Sequence, residues 1–192
     1  MADIPSHHMI YGETTDFVTG EQITDTDDER YRQQLARFLV EEKGYRKEDL
    51  QVRLKIETLF AGQFVVSKID FVVLVDERRV MVIRYAPGSL VTRERPALAA
   101  ARVLDKENVI PVTVVTNGED AEVLDTETGK VTATGLKAIP DREQLNRLAA
   151  CNKILPGLDE NRREKELRIL NAFDIEVCCV GGPCVLPDAP EG

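Results

Sequence analysis

No stretch of about 18 or more apolar residues occurs in the 192-residue chain, which excludes a membrane-spanning helix. Positive charge is also in short supply. Acidic side chains number 34 against 25 basic ones, giving a formal net charge of -9 and a pI near 4.9. A free-standing protein that reads DNA sequence needs a basic surface to neutralise phosphates, so this balance argues against one. No G-x-x-x-x-G-K-[ST] loop is present, and the chain is too short for an ATP-driven motor. The first residues, Met1-Ala2-Asp3-Ile4-Pro5, lack the basic start and apolar stretch of a signal peptide, and the expected location is the cytoplasm.

A disulfide framework is missing as well. The cysteines are Cys151, Cys178, Cys179 and Cys184, and an adjacent pair is too close to bond readily to itself. Cys178, Cys179 and Cys184, completed by Cys151 or by His7-His8, form a weak metal candidate, because structural zinc sites favour C-x2-4-C spacing. Reduced thiols near a loose C-terminus are the simpler reading. With 43% hydrophobic and 31% charged residues, the composition is that of an ordinary globular protein long enough to bury a sizeable core.

Residues 1–25 are aperiodic and read as an N-terminal arm. Thr26-Asp27-Asp28-Glu29 is a capping-box pattern, in which the hydroxyl and the Glu29 carboxylate satisfy free helix-start amides. Tyr31, Leu35, Phe38 and Leu39 follow as one helical stripe, with Gly44 placed to end it. Alternation from Gln51 to Glu57 predicts a half-buried strand. The apolar run Ile69-Asp70-Phe71-Val72-Val73-Leu74-Val75 predicts a strand covered on both faces, and Val80 to Tyr85 returns from it in antiparallel sense. Pro96 is placed as the first residue of a helix over 97–104. Strands are expected over 110–116, 121–124 and 131–134, and helices over 141–151 and 160–173. The order α-β-β-β-α-β-β-β-α-α implies an α/β fold with a mixed sheet flanked by helices. The organisation expected is the arm at 1–25, one domain over 26–150, and a C-terminal helix with a cysteine-containing tail over 151–192 packing on that domain.

Several segments carry a family likeness. They are Glu29-Arg30-Tyr31-Arg32-Gln33-Gln34-Leu35, Phe38-Leu39-Val40-Glu41-Glu42-Lys43-Gly44-Tyr45, Ile69-Asp70-Phe71-Val72-Val73, Val82-Ile83 ahead of Ala86-Pro87, and Val115-Thr116-Asn117-Gly118 with the Thr128-Gly129-Lys130 turn. In this order and spacing they resemble the N-terminal domain of type I restriction enzyme R subunits and their free-standing relatives. The resemblance implies a restriction-endonuclease-like core of the PD-(D/E)xK nuclease superfamily. It also implies a Mg²⁺ site built from an Asp on one central strand, a Glu on the next, and a Lys two residues later on the same strand face. Such a metal generates hydroxide and stabilises the phosphoryl transition state.

Asp70 matches the Asp, but the Glu-x-Lys pair is gone. Counting forward from Ile83 puts it on Arg84 and Ala86; counting back from Ala86-Pro87 puts it on Ile83 and Tyr85. An arginine in place of the Glu changes the site by two units of charge and would occupy or repel the metal position, or pair with Asp70. Glu29 is either a remnant helix carboxylate of the site or simply part of the cap. Lys68, two residues before Asp70, is either a migrated catalytic lysine or a solvated strand-edge lysine. Arg84, Arg93, Arg95 and Arg102 form a basic set that either grips phosphate or carboxylate or is spent on salt bridges.

The leading expectation is a stand-alone restriction-endonuclease-like domain without catalytic activity, with no cofactor, binding a nucleic acid, an anionic ligand or a protein partner. One alternative is an active Mg²⁺-dependent nuclease with a rearranged site around Asp70, using Lys68 and Glu29. Another is a structural or assembly module, a homo-oligomer among them, in which Arg84 and Asp70 are a buried pair. A membrane partner is not expected.

Overall fold

A computed structural model of the protein describes residues 10–60, 62–151 and 155–179. At its centre is a six-stranded sheet formed by β3 (Leu50–Phe60), β4 (Gln63–Val75), β5 (Arg78–Tyr85), β7 (Val112–Thr116), β8 (Ala121–Asp125) and β9 (Val131–Thr134), in that spatial order. Only β5 and β7 run parallel; every other pair is antiparallel. The parallel pair requires a crossover, which helix α2 (Val91–Val103) supplies. The other helices are α1 (Asp27–Arg37), α3 (Arg142–Ala150) and α4 (Glu160–Cys179). The mixed sheet with helices on its faces makes this an α/β protein.

The two faces are covered by different helices, which follows from the alternation of side chains along the strands. Phe71, Val73, Met81, Ile83 and Val114 pack with Leu35 and Leu39 of the α1 segment and Leu145 of α3. Val72 and Val82 point the other way, against Ala99 to Ala101 of α2 and Leu170 of α4. Val72, Val73, Val82 and Ile83 are fully buried, as the unbroken apolar runs lead one to expect for central strands. Alternation skips at Asp70. Ile69 belongs to the α2–α4 face with Val72, while Phe71 belongs to the α1 face.

Helix α1 starts at Thr26, whose hydroxyl accepts from the Glu29 amide at 3.2 Å. The second half of the expected capping box is not formed: the Glu29 carboxylate turns to Gln33 and Arg53 instead. The helix continues through a π-helical turn (Phe38–Glu42) and stops at Gly44, where the Tyr45 amide donates to Leu39 O. Asp141 caps α3 through a reciprocal pair with Gln144. The β4–β5 turn at Asp76 and Glu77 takes positive φ at both positions, a shape that matches the right-handed twist of a tight hairpin.

Three sequence expectations are corrected. The arm is not aperiodic over its described part: β1 (Ile10–Thr15) and β2 (Gln22–Thr26) form a hairpin. Pro96 is not a first helical residue. Helix α2 begins five residues earlier, at Val91, and Pro96 sits inside it with its carbonyl accepting from Arg84. The strand predicted from Ile69 starts earlier, because β4 begins at Gln63, six residues before the apolar run. A short strand pair, β6 (Asn108–Val109) with β10 (Leu155–Pro156), ties the segment before α4 back to the body. Among the described residues, no helix is long and apolar enough to cross a membrane.

Candidate functional site

On the α1 face of the sheet, three carboxylates and two guanidinium groups meet. Glu29, Arg32 and Gln33 stand at i, i+3 and i+4 on α1, hence on one side of the helix. Asp70 comes from β4, Arg53 from β3, and Asp16 from the turn between β1 and β2. Arg32 Nε donates to Asp70 Oδ1 at 2.5 Å, and the Tyr85 amide donates to Asp70 Oδ2 at 2.6 Å. Gln33 Nε2 donates to both Asp16 Oδ2 and Glu29 Oε1 at 2.9 Å, while its carbonyl oxygen accepts from the Phe17 amide. Arg53 reaches Asp16 at 2.6 Å and Glu29 at 3.4 Å.

Backbone geometry places Arg53 there. It lies between Val52, opposite Phe71, and Leu54, opposite Ile69, with φ of 53° in the middle of β3. A long side chain in that left-handed conformation is strained by about 1–3 kcal/mol and persists only where its surroundings hold it. Here the holding groups are Asp16 and Glu29.

Burial and pairing set the charge states. Burial by itself would raise the Asp16 pKa, but the Thr19 amide, Gln33 and Arg53 outweigh it and bring the group down to about 2. Burial works against the Arg32 cation, yet the Asp70 charge and hydrogen bond prevail and raise its pKa above the ordinary value. Burial, with help from nearby Asp28, pushes the Tyr85 hydroxyl up to about 12.

Strand β5 presents alternate residues to the two faces of the sheet. Ile83 packs on the α1 side, and the Tyr85 ring stacks on Tyr31 of α1 with centroids 5.5 Å apart. These two share the face of Asp70. Arg84 points to the opposite face, where it pairs with Asp174 of α4 at 3.1 Å. An Arg84–Asp70 pair is therefore not formed; Arg32 is the partner of Asp70, and the β5 side-chain period is the reason.

The remaining expected site residues scatter. Lys68 is exposed and lies opposite Lys55 on β3. Arg95 and Arg102 both reach Glu166 of α4, at 3.4 and 2.9 Å, and Arg102 also donates to the Thr126 carbonyl. Arg93 Nε is buried without a hydrogen-bond partner. The basic set is thus tied mainly to α4 and does not converge on Asp70. Cys151 is exposed. The side chains of Cys178 and Cys179, and all of Cys184, His7 and His8, lie outside the described residues.

Arg32, Arg53, Gln33, Asp16 and the Tyr31–Tyr85 pair are not singled out by sequence reasoning. For Arg32 and Gln33 a signal exists, since their spacing from Glu29 places all three on one helix face. For Asp16 and Arg53 none does, because only the hairpin and the β3 distortion bring them in.

The donor set does not suit a hard divalent cation, which needs several free oxygen ligands. Both Asp70 oxygens accept from nitrogen donors, and Glu29 is held by Gln33 and two arginines. Among the described residues, no group of three or more His, Cys, Asp or Glu could hold a metal ion.

A mixed-sheet α/β domain with an acid–guanidinium cluster under its first helix is the class so defined. The family model described as type I restriction enzyme R protein N terminus (HSDR_N) matches residues 27–140, more than half of the chain, and the protein belongs to that family. No curated protein and no solved structure matches the chain.

Proposed function

We propose that this protein carries a catalytically silent restriction-endonuclease-like domain, a pseudoenzyme that acts by binding rather than by cutting. The observation that carries this reading is the Arg32 guanidinium on Asp70, with Ile83 and Tyr85, neither a carboxylate nor an amine, on the same face of β5. A cation of the protein itself takes the role of the divalent ion: it neutralises the carboxylate and fixes its orientation. The cluster then holds α1, β3, β4 and the β1–β2 hairpin together instead of activating water. Its binding partner is an anionic ligand, a nucleic acid or a protein, and the chain's net charge of -9 favours the alternatives that do not need a broad basic face.

Metal titration tests this. Calorimetry with Mg²⁺ and Mn²⁺ is expected to give no site tighter than about 1 mM. Tighter binding that disappears in Asp70→Ala would overturn the proposal.

One observation favours a second reading, an active Mg²⁺-dependent nuclease with a rearranged site. Glu29 and Asp70 share Arg32, and Glu29 and Asp16 share Arg53, so three carboxylates are gathered around two arginines. That reading requires Arg32 to leave Asp70. Exposed Lys68 offers it little, since β4 places it beside Lys55 rather than at the cluster. The same titration separates the two.

A further inference from the structure

On the opposite face of the sheet, α2 and α4 border a groove of about 770 Å³. Five cations line it, Arg95, Arg102, Arg162, Lys165 and Arg168, against two carboxylates, Glu127 and Glu166. In a chain with net charge of -9 this is a local reversal of sign. We propose that the groove binds a small ligand that carries phosphate groups on an apolar body, a nucleotide-sized molecule.

The side chains divide into fixed and available donors. Arg102 is largely committed, donating to Thr126 O and to Glu166. Glu166 also holds Arg95, so one carboxylate orients two guanidinium groups along the α2 wall. On the α4 wall, Arg162, Lys165 and Ile169 stand at i, i+3 and i+7 and face the same way. Arg162 and Lys165 are exposed, and neither is paired with an acid among the described residues. They are the groups a phosphate would meet, and an arginine fork beside a lysine point charge is a common way to grip one.

The floor is apolar, with Val109, Leu155 and Leu158 beneath the charged walls. Gly157 makes that floor possible. A Cβ there would lie 2.2 Å from the Lys106 carbonyl oxygen, so only glycine lets the 155–158 strap lie flat on the 106–107 backbone, where its amide donates to Glu107 O at 2.7 Å. The volume falls within the range of small-molecule sites, about 300–1,000 Å³. No aromatic side chain lines the groove among the described residues, which disfavours single-stranded nucleic acid, whose bases need stacking partners. Stray cations on a solvated helix would not also share an apolar floor with an oriented opposite wall.

This inference rests on reading the chain as a binding module, but its groove is on the face away from Asp70, so the two fail separately. Metal titration decides the first; anion titration of the full chain decides the second. Calorimetry at low salt with inorganic pyrophosphate and with a nucleoside triphosphate is expected to give saturable binding, weakened at least about tenfold by Arg162→Ala with Lys165→Ala. Tighter binding of the nucleotide than of pyrophosphate shows that the apolar floor takes part. A control removing two cations elsewhere, Arg30→Ala with Arg46→Ala, is expected to change nothing, with circular dichroism confirming that both double variants fold. No saturation by about 10 mM, or equal losses in both double variants, overturns the proposal, as does binding confined to a DNA duplex.

Discussion

Arg32 Nε sits 2.5 Å from one oxygen of Asp70 while the Tyr85 amide sits 2.6 Å from the other. The residues of the ion pair are 38 positions apart in sequence, and the pair joins α1 to the centre of the sheet. Asp70 is 5% exposed, so its charge is stable there only because both oxygens are satisfied.

Removing one partner should therefore cost more than removing both. Arg32→Leu leaves a buried carboxylate with one donor, and a loss of about 3 kcal/mol is expected in urea unfolding. Asp70→Asn together with Arg32→Leu should recover much of that loss, because no uncompensated charge remains. A double variant as unstable as the sum of the singles would show that the pair is not coupled.

Gly118 touches the same region from the β7–β8 turn. Its φ is +92°, and a Cβ there would lie 2.8 Å from Tyr31 Cδ1. Gly118→Ala is expected to destabilise by about 1–3 kcal/mol and to push Tyr31 off Tyr85. Thermal unfolding reads the first effect, and the near-ultraviolet circular dichroism of the tyrosines reads the second.

Acid should loosen the hairpin end of the cluster. The folded Asp16 pKa of about 2 lies below the ordinary aspartate value of 3.8. The stability it contributes is complete above that ordinary value and is lost as pH falls through the folded one. The pH window is therefore about 4 down to 2, and the contribution is about 1–2 kcal/mol, below the full linkage value because Arg53 borders solvent. Asp16→Asn should flatten the pH dependence of stability over that window. An unchanged slope in the variant would contradict the assignment.

The parts of this fold that sequence shows plainly are those whose signals are local. The Val72-Val73 and Val82-Ile83 runs mark central strands because burial on both faces removes polar alternation, and Asp141-Gln144 marks a helix start because a cap is a three-residue event. The β1–β2 hairpin escapes because its strands are mostly exposed and carry no apolar alternation; its position comes from Asp16 and Phe17 docking on Gln33. Pro96 misleads because the preference for the first helical position is statistical, and here the helix gains an earlier, exposed turn from Val91. At the cluster, Asp70 is legible as a buried strand acid, but its partner is not. The identity of the group opposite Asp70 depends on which face β5 presents, and that single-residue choice separates Arg84 from Tyr85.

The most direct test of a silent cleft is cleavage of single- and double-stranded DNA and RNA in Mn²⁺, with Asp70→Ala alongside. The account expects no cleavage above that of the variant. Cleavage by the native chain that Asp70→Ala abolishes would contradict it, and would mean that Arg32 gives way to a metal on Asp70.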